Sequence, residues 1–286
     1  MNLGINNKNL FFRVLSGVVL VPVVVFSFIL YPTLIGLVTT IVMLASWEFI
    51  EISSLELKNK KIFKMMLTVV VGASALLYGF AIEAEYQGIL PFEAEIVFYL
   101  AFFFYSWLVI LKIKDVRMAK KLISAGAISI LYISFFLSNF YLININYGYT
   151  MGILALVSVF MYDSFAYFAG LSFGKHKISP NFSPKKSWEG LIGGALGTYL
   201  FIIVYEFIRG LLGYENIIGP KKAILFALMV ASFDTVGDLT ESIFKRHYHV
   251  KDSGSILPGH GGILDRIDGI LIVTPAWYFL LRIFWI

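Results

Sequence analysis

There is no cysteine among the 286 residues. This rules out disulfides and thiolate metal sites and leaves carboxylate, imidazole and water as ligands. A metal held that way is a hard cation such as Mg2+. Charge is scarce as well. Asp, Glu, Lys and Arg make up 14% of the chain and apolar residues 59%, whereas a soluble domain is about a quarter charged and under half apolar. At a mean hydropathy of +0.82, water cannot be the main solvent. Also missing are the alternating strands of a membrane barrel, internal repeats, low-complexity tracts and a separate soluble domain. No small-residue cleavage site follows the first apolar run, Val14 to Leu30, so this run is expected to be retained as a span behind the polar, then basic, stretch Met1 to Arg13.

What is present is a series of apolar blocks of about twenty residues, the length a helix needs to cross a hydrocarbon core of roughly 30 Å. Backbone groups in lipid must be satisfied within their own segment, so these blocks are helices. The expected fold is all-α, a polytopic transmembrane bundle of about nine spans centred near Val23, Leu37, Val71, Phe102, Tyr132, Val159, Ile202, Leu228 and Trp277. The fourth is expected from about Ile96 to Ile113. We divide the chain into N-terminal transmembrane helices, 1–150, and a region carrying the chemistry, 151–286, with polar loops at 171–188 and 239–269.

Loop charge orients such a bundle, because short cytoplasmic loops collect Lys and Arg. Lys8 and Arg13 precede the first span. Lys58, Lys60, Lys61 and Lys64 separate the second from the third, and Lys112, Lys114, Arg117, Lys120 and Lys121 separate the fourth from the fifth. The alternate connections are uncharged near Thr33, acidic from Glu83 to Glu95 and neutral from Asn144 to Thr150. The expectation is a cytoplasmic N-terminus, a C-terminus outside, and both polar loops on the cytoplasmic side. Arg209, Lys221 and Lys222 run against the alternation. The basic residues are spread over several loops, so the net charge of +5 reflects topology and phosphate binding, not nucleic acid.

The eighth span ends in a polar stripe. Asp234, Asp238, Glu241 and Lys245 are spaced four, three and four apart, which stacks them on one helix face. A solvated helix end would explain such a stripe, but an acid as deep as Asp234 is costly and faces a site or a partner. Gly254, Gly259, Gly261 and Gly262 follow, able to bring backbone N–H groups close to an anion, with Lys245, Arg246, Lys251 and Arg266 as countercharge. Asp265 and Asp268 return three residues apart as the ninth span begins. Carboxylates alternating with cations beside a glycine loop suit a divalent metal plus polyphosphate. Earlier, Asp163 lies within the sixth span, where it is either a packing hydrogen-bonder or functional. Lys185 and Lys186 can read lipid headgroups or contact a nucleotide. His260 can be a ligand, a general acid or a turn residue.

The run Ser242-x-Phe244-Lys245-Arg246, then Lys251-Asp252-x-Gly254-x-x-Leu257-Pro258-x-His260-Gly261-Gly262-Ile263-x-Asp265-Arg266-Ile267-Asp268, resembles the signature of the phosphatidate cytidylyltransferase (CDP-diacylglycerol synthase) family at every specified position. Asp163-x-x-Ala166-Tyr167 and Ser183-Pro-Lys-Lys-Ser-Trp-Glu-Gly190 are similar to another block of that family, with Ser187 where Thr is more usual. The resemblance implies a membrane enzyme of bacterial inner-membrane type. It joins CTP to phosphatidate with Mg2+, releases pyrophosphate, and forms a homodimer by analogy. It implies metal ligation at Asp238 and Asp265, with K+ as one member of a pair, supported by Glu241 and Asp268. Asp163, Lys186, Lys245, Arg246, Lys251, Asp252 and Arg266 would do the catalytic work, and Ser183, Lys185, Gly259, His260, Gly261 and Gly262 would hold substrate. The attacking phosphate monoester is already largely dianionic at neutral pH, so no protein nucleophile is needed. The main rivals are a CTP-dependent lipid kinase, which would release CDP, and an ion transporter built on Asp163 and Asp234.

Overall fold

The computed structural model describes residues 22–57, 60–215, 217–254, 256 and 261–285. These form two compact units. One comprises Met1–Tyr149 with Tyr248–Ile267, the other Thr150–His247 with Asp268–Ile286.

In the first unit the helices are α1 (Tyr31–Ser53), α2 (Lys61–Tyr86), α3 (Ile96–Lys112), α4 (Val116–Ile128) and α5 (Phe136–Tyr147), with a π-helical turn, Ser129–Phe135, joining the last two. Residues 22–29 are helical too. Pro32 sits at the start of α1, where a missing N–H costs nothing. Asp115 caps α4 by accepting from the Met118 N–H at 2.6 Å. α1 and α2 pack closely because Gly72 and Gly79 leave room for Met43 and Ile35, which occupy the positions their side chains would take. Without a hydrophobic drive between helices in lipid, such small-residue seams allow tight van der Waals contact.

The second unit holds α6 (Tyr149–Phe173), a hairpin of β1 (Lys177–Ser179) and β2 (Ser183–Ser187), α7 (Trp188–Leu211), α8 (Pro220–His247) and the body of α9 (Leu264–Trp285). The hairpin is antiparallel, pairing Lys177 with Ser187 and Ser179 with Ser183. It is the one departure from an all-α fold among the described residues. Its exit is fixed twice. Ser187 caps α7 through the Gly190 N–H at 3.2 Å, and Glu189 accepts from His176 Nδ1 at 2.6 Å. The α6–α7 seam is lined by Gly190, Gly193, Gly194 and Gly197, whose missing side chains are replaced by Ala166, Ala169, Tyr162 and Phe165.

Seven helices among the described residues are long and apolar enough to cross a membrane, with α4, the π turn and α5 counting as one. The chain is an integral membrane protein. α3, at 17 residues, is a shorter apolar helix lying where the sequence places its fourth span. The cations that break the loop alternation have local duties. Arg209 lies 5.8 Å and 5.4 Å from the ring centroids of Tyr205 and Tyr214, and Lys222 donates to the Phe284 carbonyl at 3.2 Å, near the end of α9.

Candidate active site

In the second unit a cavity of about 760 Å3 opens among α6, the hairpin, α7 and α8. Asp163, Ser183, Lys185, Lys186 and Asp238 all line it, with Tyr162, Tyr167, Lys177 and Thr235. Residues spread over 76 positions thus share one concavity, brought there by the hairpin's return and the glycine seam. Lys186 donates to Asp238 at 2.7 Å. Asp163, Asp234 and Asp268 lie in electrostatic range of this pair, so four carboxylates surround one ammonium. Burial pushes Lys186 toward the neutral amine, but Asp238 and Asp234 outweigh it and raise its pKa above the ordinary lysine value.

The stripe expected on α8 is present, with its members differently employed. Asp234 is buried, at 2% exposure, with its carboxylate in the space where Gly269 of α9 has no side chain. Gly237 meets the backbone of Asp268 and Gly269 equally closely. Tyr162 and Thr235 share a hydrogen bond of 2.6 Å beside them. Glu241 is buried and forms an ion pair with Lys245. Arg246 is exposed.

The first unit holds the signature loop and an organiser that the sequence reading passed over. Glu48, near the end of α1 and 3% exposed, accepts from Ile263 N at 3.1 Å, Leu264 N at 3.0 Å and Ser253 Oγ at 3.2 Å. Asp265 completes the clamp with a single oxygen, Oδ2, that accepts from Ser253 N at 2.9 Å and Gly262 N at 3.0 Å. A Cβ at Gly254 or Gly262 would strike the Glu48 carboxylate, and Gly261 has φ +86°. The glycines are therefore required by sterics and backbone conformation. The Gly262 N–H, expected to face an anion, donates here to Asp265. Lys251, Asp252 and Arg266 are the loop's exposed charges. Gly259 and His260 lie outside the described residues. The signal that finds Glu48 is the one applied to Asp163 and Asp234, an acid inside an apolar helix.

Among the described residues, no three His, Asp or Glu side chains are already gathered to hold a metal ion. The donor chemistry of the Lys186 cavity nonetheless suits a hard cation, since its acids, Asp163 and Asp238, offer only carboxylate oxygen.

Apolar spanning helices around a cavity that pairs lysine with aspartates define a polytopic membrane protein. The chain belongs to the cytidylyltransferase family, whose sequence profile matches residues 11–284. It is 40% identical over 272 residues to a phosphatidate cytidylyltransferase of Thermotoga maritima, covering 95% of this chain and 96% of that one. Proteins of the same name from Bacillus subtilis and Haemophilus influenzae are 45% and 42% identical over 48% and 45% of this chain, and 49% and 44% of theirs.

Proposed function

We propose that this chain transfers the cytidylyl group of CTP to phosphatidate, giving CDP-diacylglycerol and pyrophosphate for phospholipid synthesis. The observation that carries this reading is the Lys186–Asp238 pair, 2.7 Å apart in a cavity that also holds Asp163, Ser183 and Lys185. The reaction brings together two polyanions, so the catalytic task is charge neutralisation and in-line alignment. Lys185 and Lys186 attract phosphate oxygens, while the rigid α6–α7 seam and the capped hairpin fix where those ammonium groups sit. Ser183 contributes a hydroxyl at the same rim. The phosphatidate oxygen attacks the α-phosphorus of CTP as the bond to pyrophosphate breaks, and no protein side chain needs to become a nucleophile.

Asp238 and Asp268, two of the residues expected to ligate metal, would hold Mg2+, with K+ as a second ion. Bound there, Mg2+ supplies Lewis-acid neutralisation of phosphate charge. With Mg2+ bound, Asp238 would be a ligand in addition to its pairing with Lys186.

The same reading places the protein in a bacterial inner membrane with about nine spans and the cavity on the cytoplasmic side, where CTP is available. The seven long helices, α3 and the helical residues 22–29 together support that number. The test is direct. Purified protein given radiolabelled CTP, phosphatidate and Mg2+ should yield a chloroform-soluble CMP-lipid and one pyrophosphate per lipid. Release of CDP with a phosphorylated lipid would instead establish a kinase and end this proposal.

A further inference from the structure

A second cavity, of about 690 Å3, lies in the first unit at the ends of α1 to α4, lined by none of the residues assigned above. Its rim carries Lys60, Lys112, Lys114, Arg117 and Lys121, against Glu56 and Asp115 alone. Both acids are committed. Glu56 pairs with Lys121 at 2.6 Å, and Asp115 caps α4 through the Met118 N–H. The side chains of Lys60, Lys112, Lys114 and Arg117 have neither an ion pair nor a hydrogen bond among the described residues. The floor is apolar, with Ile113 at 7% and Met118 at 6% exposure. Retaining cations on one side of a membrane needs only their number. It does not require four of them, three within six residues, around one concavity with an apolar base.

We propose that this cavity binds the phosphate of an anionic phospholipid. Helix ends lie at headgroup depth, each lysine or arginine there attracts an anionic headgroup by about 1 kcal/mol, and the guanidinium of Arg117 can grip a phosphate with two parallel N–H groups. The buried Ile113 and Met118 side chains meet the glycerol and first methylenes. A free polyanion would share the phosphate chemistry but would leave that apolar base without a partner. The site shares no lining residue with the Lys186 cavity, and its occupancy is measurable with no CTP present, so the proposal stands or falls independently of the enzymatic reading.

The experiment uses the full chain, delipidated in a neutral detergent. It is titrated separately with short-chain phosphatidylglycerol, short-chain phosphatidylcholine and inorganic phosphate, with thermal unfolding and native mass spectrometry as readouts. Phosphatidylglycerol should bind and raise the unfolding temperature. In the variant K112Q/K114Q/R117Q its affinity should fall at least about tenfold, while K112R/K114R, which keeps every charge and Arg117, should retain it. Circular dichroism verifies folding. If the triple glutamine variant fails to fold, the exposed single change Lys114→Gln should still weaken binding by about fivefold. Equal binding of phosphatidylcholine, or unchanged affinity in the glutamine variants, would overturn the proposal. Equal protection by inorganic phosphate would overturn the lipid assignment in favour of a soluble phosphate.

Discussion

Lys186 is where charge and chemistry meet most tightly. Removing its ammonium leaves Asp163, Asp234, Asp238 and Asp268 to repel one another with no internal cation. Lys186→Ala should therefore lower turnover by roughly hundredfold or more, while Lys186→Arg keeps a measurable fraction. Asp238→Asn should be nearly inactive with circular dichroism unchanged. Because the folded pKa of Lys186 is raised, its ion pair with Asp238 is fully formed below the ordinary lysine value and is lost only as pH rises through the higher folded one. A rate profile should therefore show no limb from this group below about pH 10. A limb near neutrality that disappears in Lys186→Arg would contradict the assignment.

Glu48 gives the second residue-level expectation. Glu48→Ala strips acceptors from two buried N–H groups and a hydroxyl, each costing about 1–3 kcal/mol when left unmet. The measured outcomes should be a lower unfolding temperature in detergent and faster tryptic cutting at the exposed Lys251. The sequence made Asp163, Lys186 and Asp238 legible because their types and spacing are unusual in lipid. Glu48 stayed hidden because two of its three partners are backbone groups more than 200 positions later, and backbone donors leave no mark in residue identity. For the same reason nothing in the sequence told that the immediate neighbour of Gly254 and Gly262 is the Glu48 carboxylate.

The elements themselves were the most readable part. Apolar length alone located α1, α2, α3, the α4–α5 segment and α6 to α9, since a bilayer-spanning helix declares itself by composition. The hairpin was not seen. β1 and β2 are three and five residues long, too short for an alternating pattern, and they are held by turn geometry and the capped start of α7. The α6–α7 seam makes a sharp prediction. Gly197→Leu must displace Phe165, which already occupies that space. An overpacked position costs about 1–3 kcal/mol, and here it also shifts α6, which carries Asp163. Both unfolding temperature and turnover should drop, whereas Leu196→Ala, on an exposed position of the same helix, should change neither much.

At the scale of the whole chain, loop charge makes a claim about sidedness that the lack of cysteine makes easy to test. A single thiol introduced at Lys114 or at Lys185 is the only one present. In right-side-out bacterial cells neither Lys114→Cys nor Lys185→Cys should react with a membrane-impermeant maleimide until the membrane is permeabilised. Labelling of Lys185→Cys in intact cells would place the Lys186 cavity on the outer face and refute the cytoplasmic assignment.

The clamp formed by Glu48 also bears on how such an enzyme can be dissected. The stretch richest in recognisable motifs groups with helices made from the opposite end of the gene. A truncated product beginning at Thr150 would keep almost every diagnostic residue and still lack the anchor for its own hallmark loop. Complementation by two co-expressed halves should therefore succeed where the later half alone is inert.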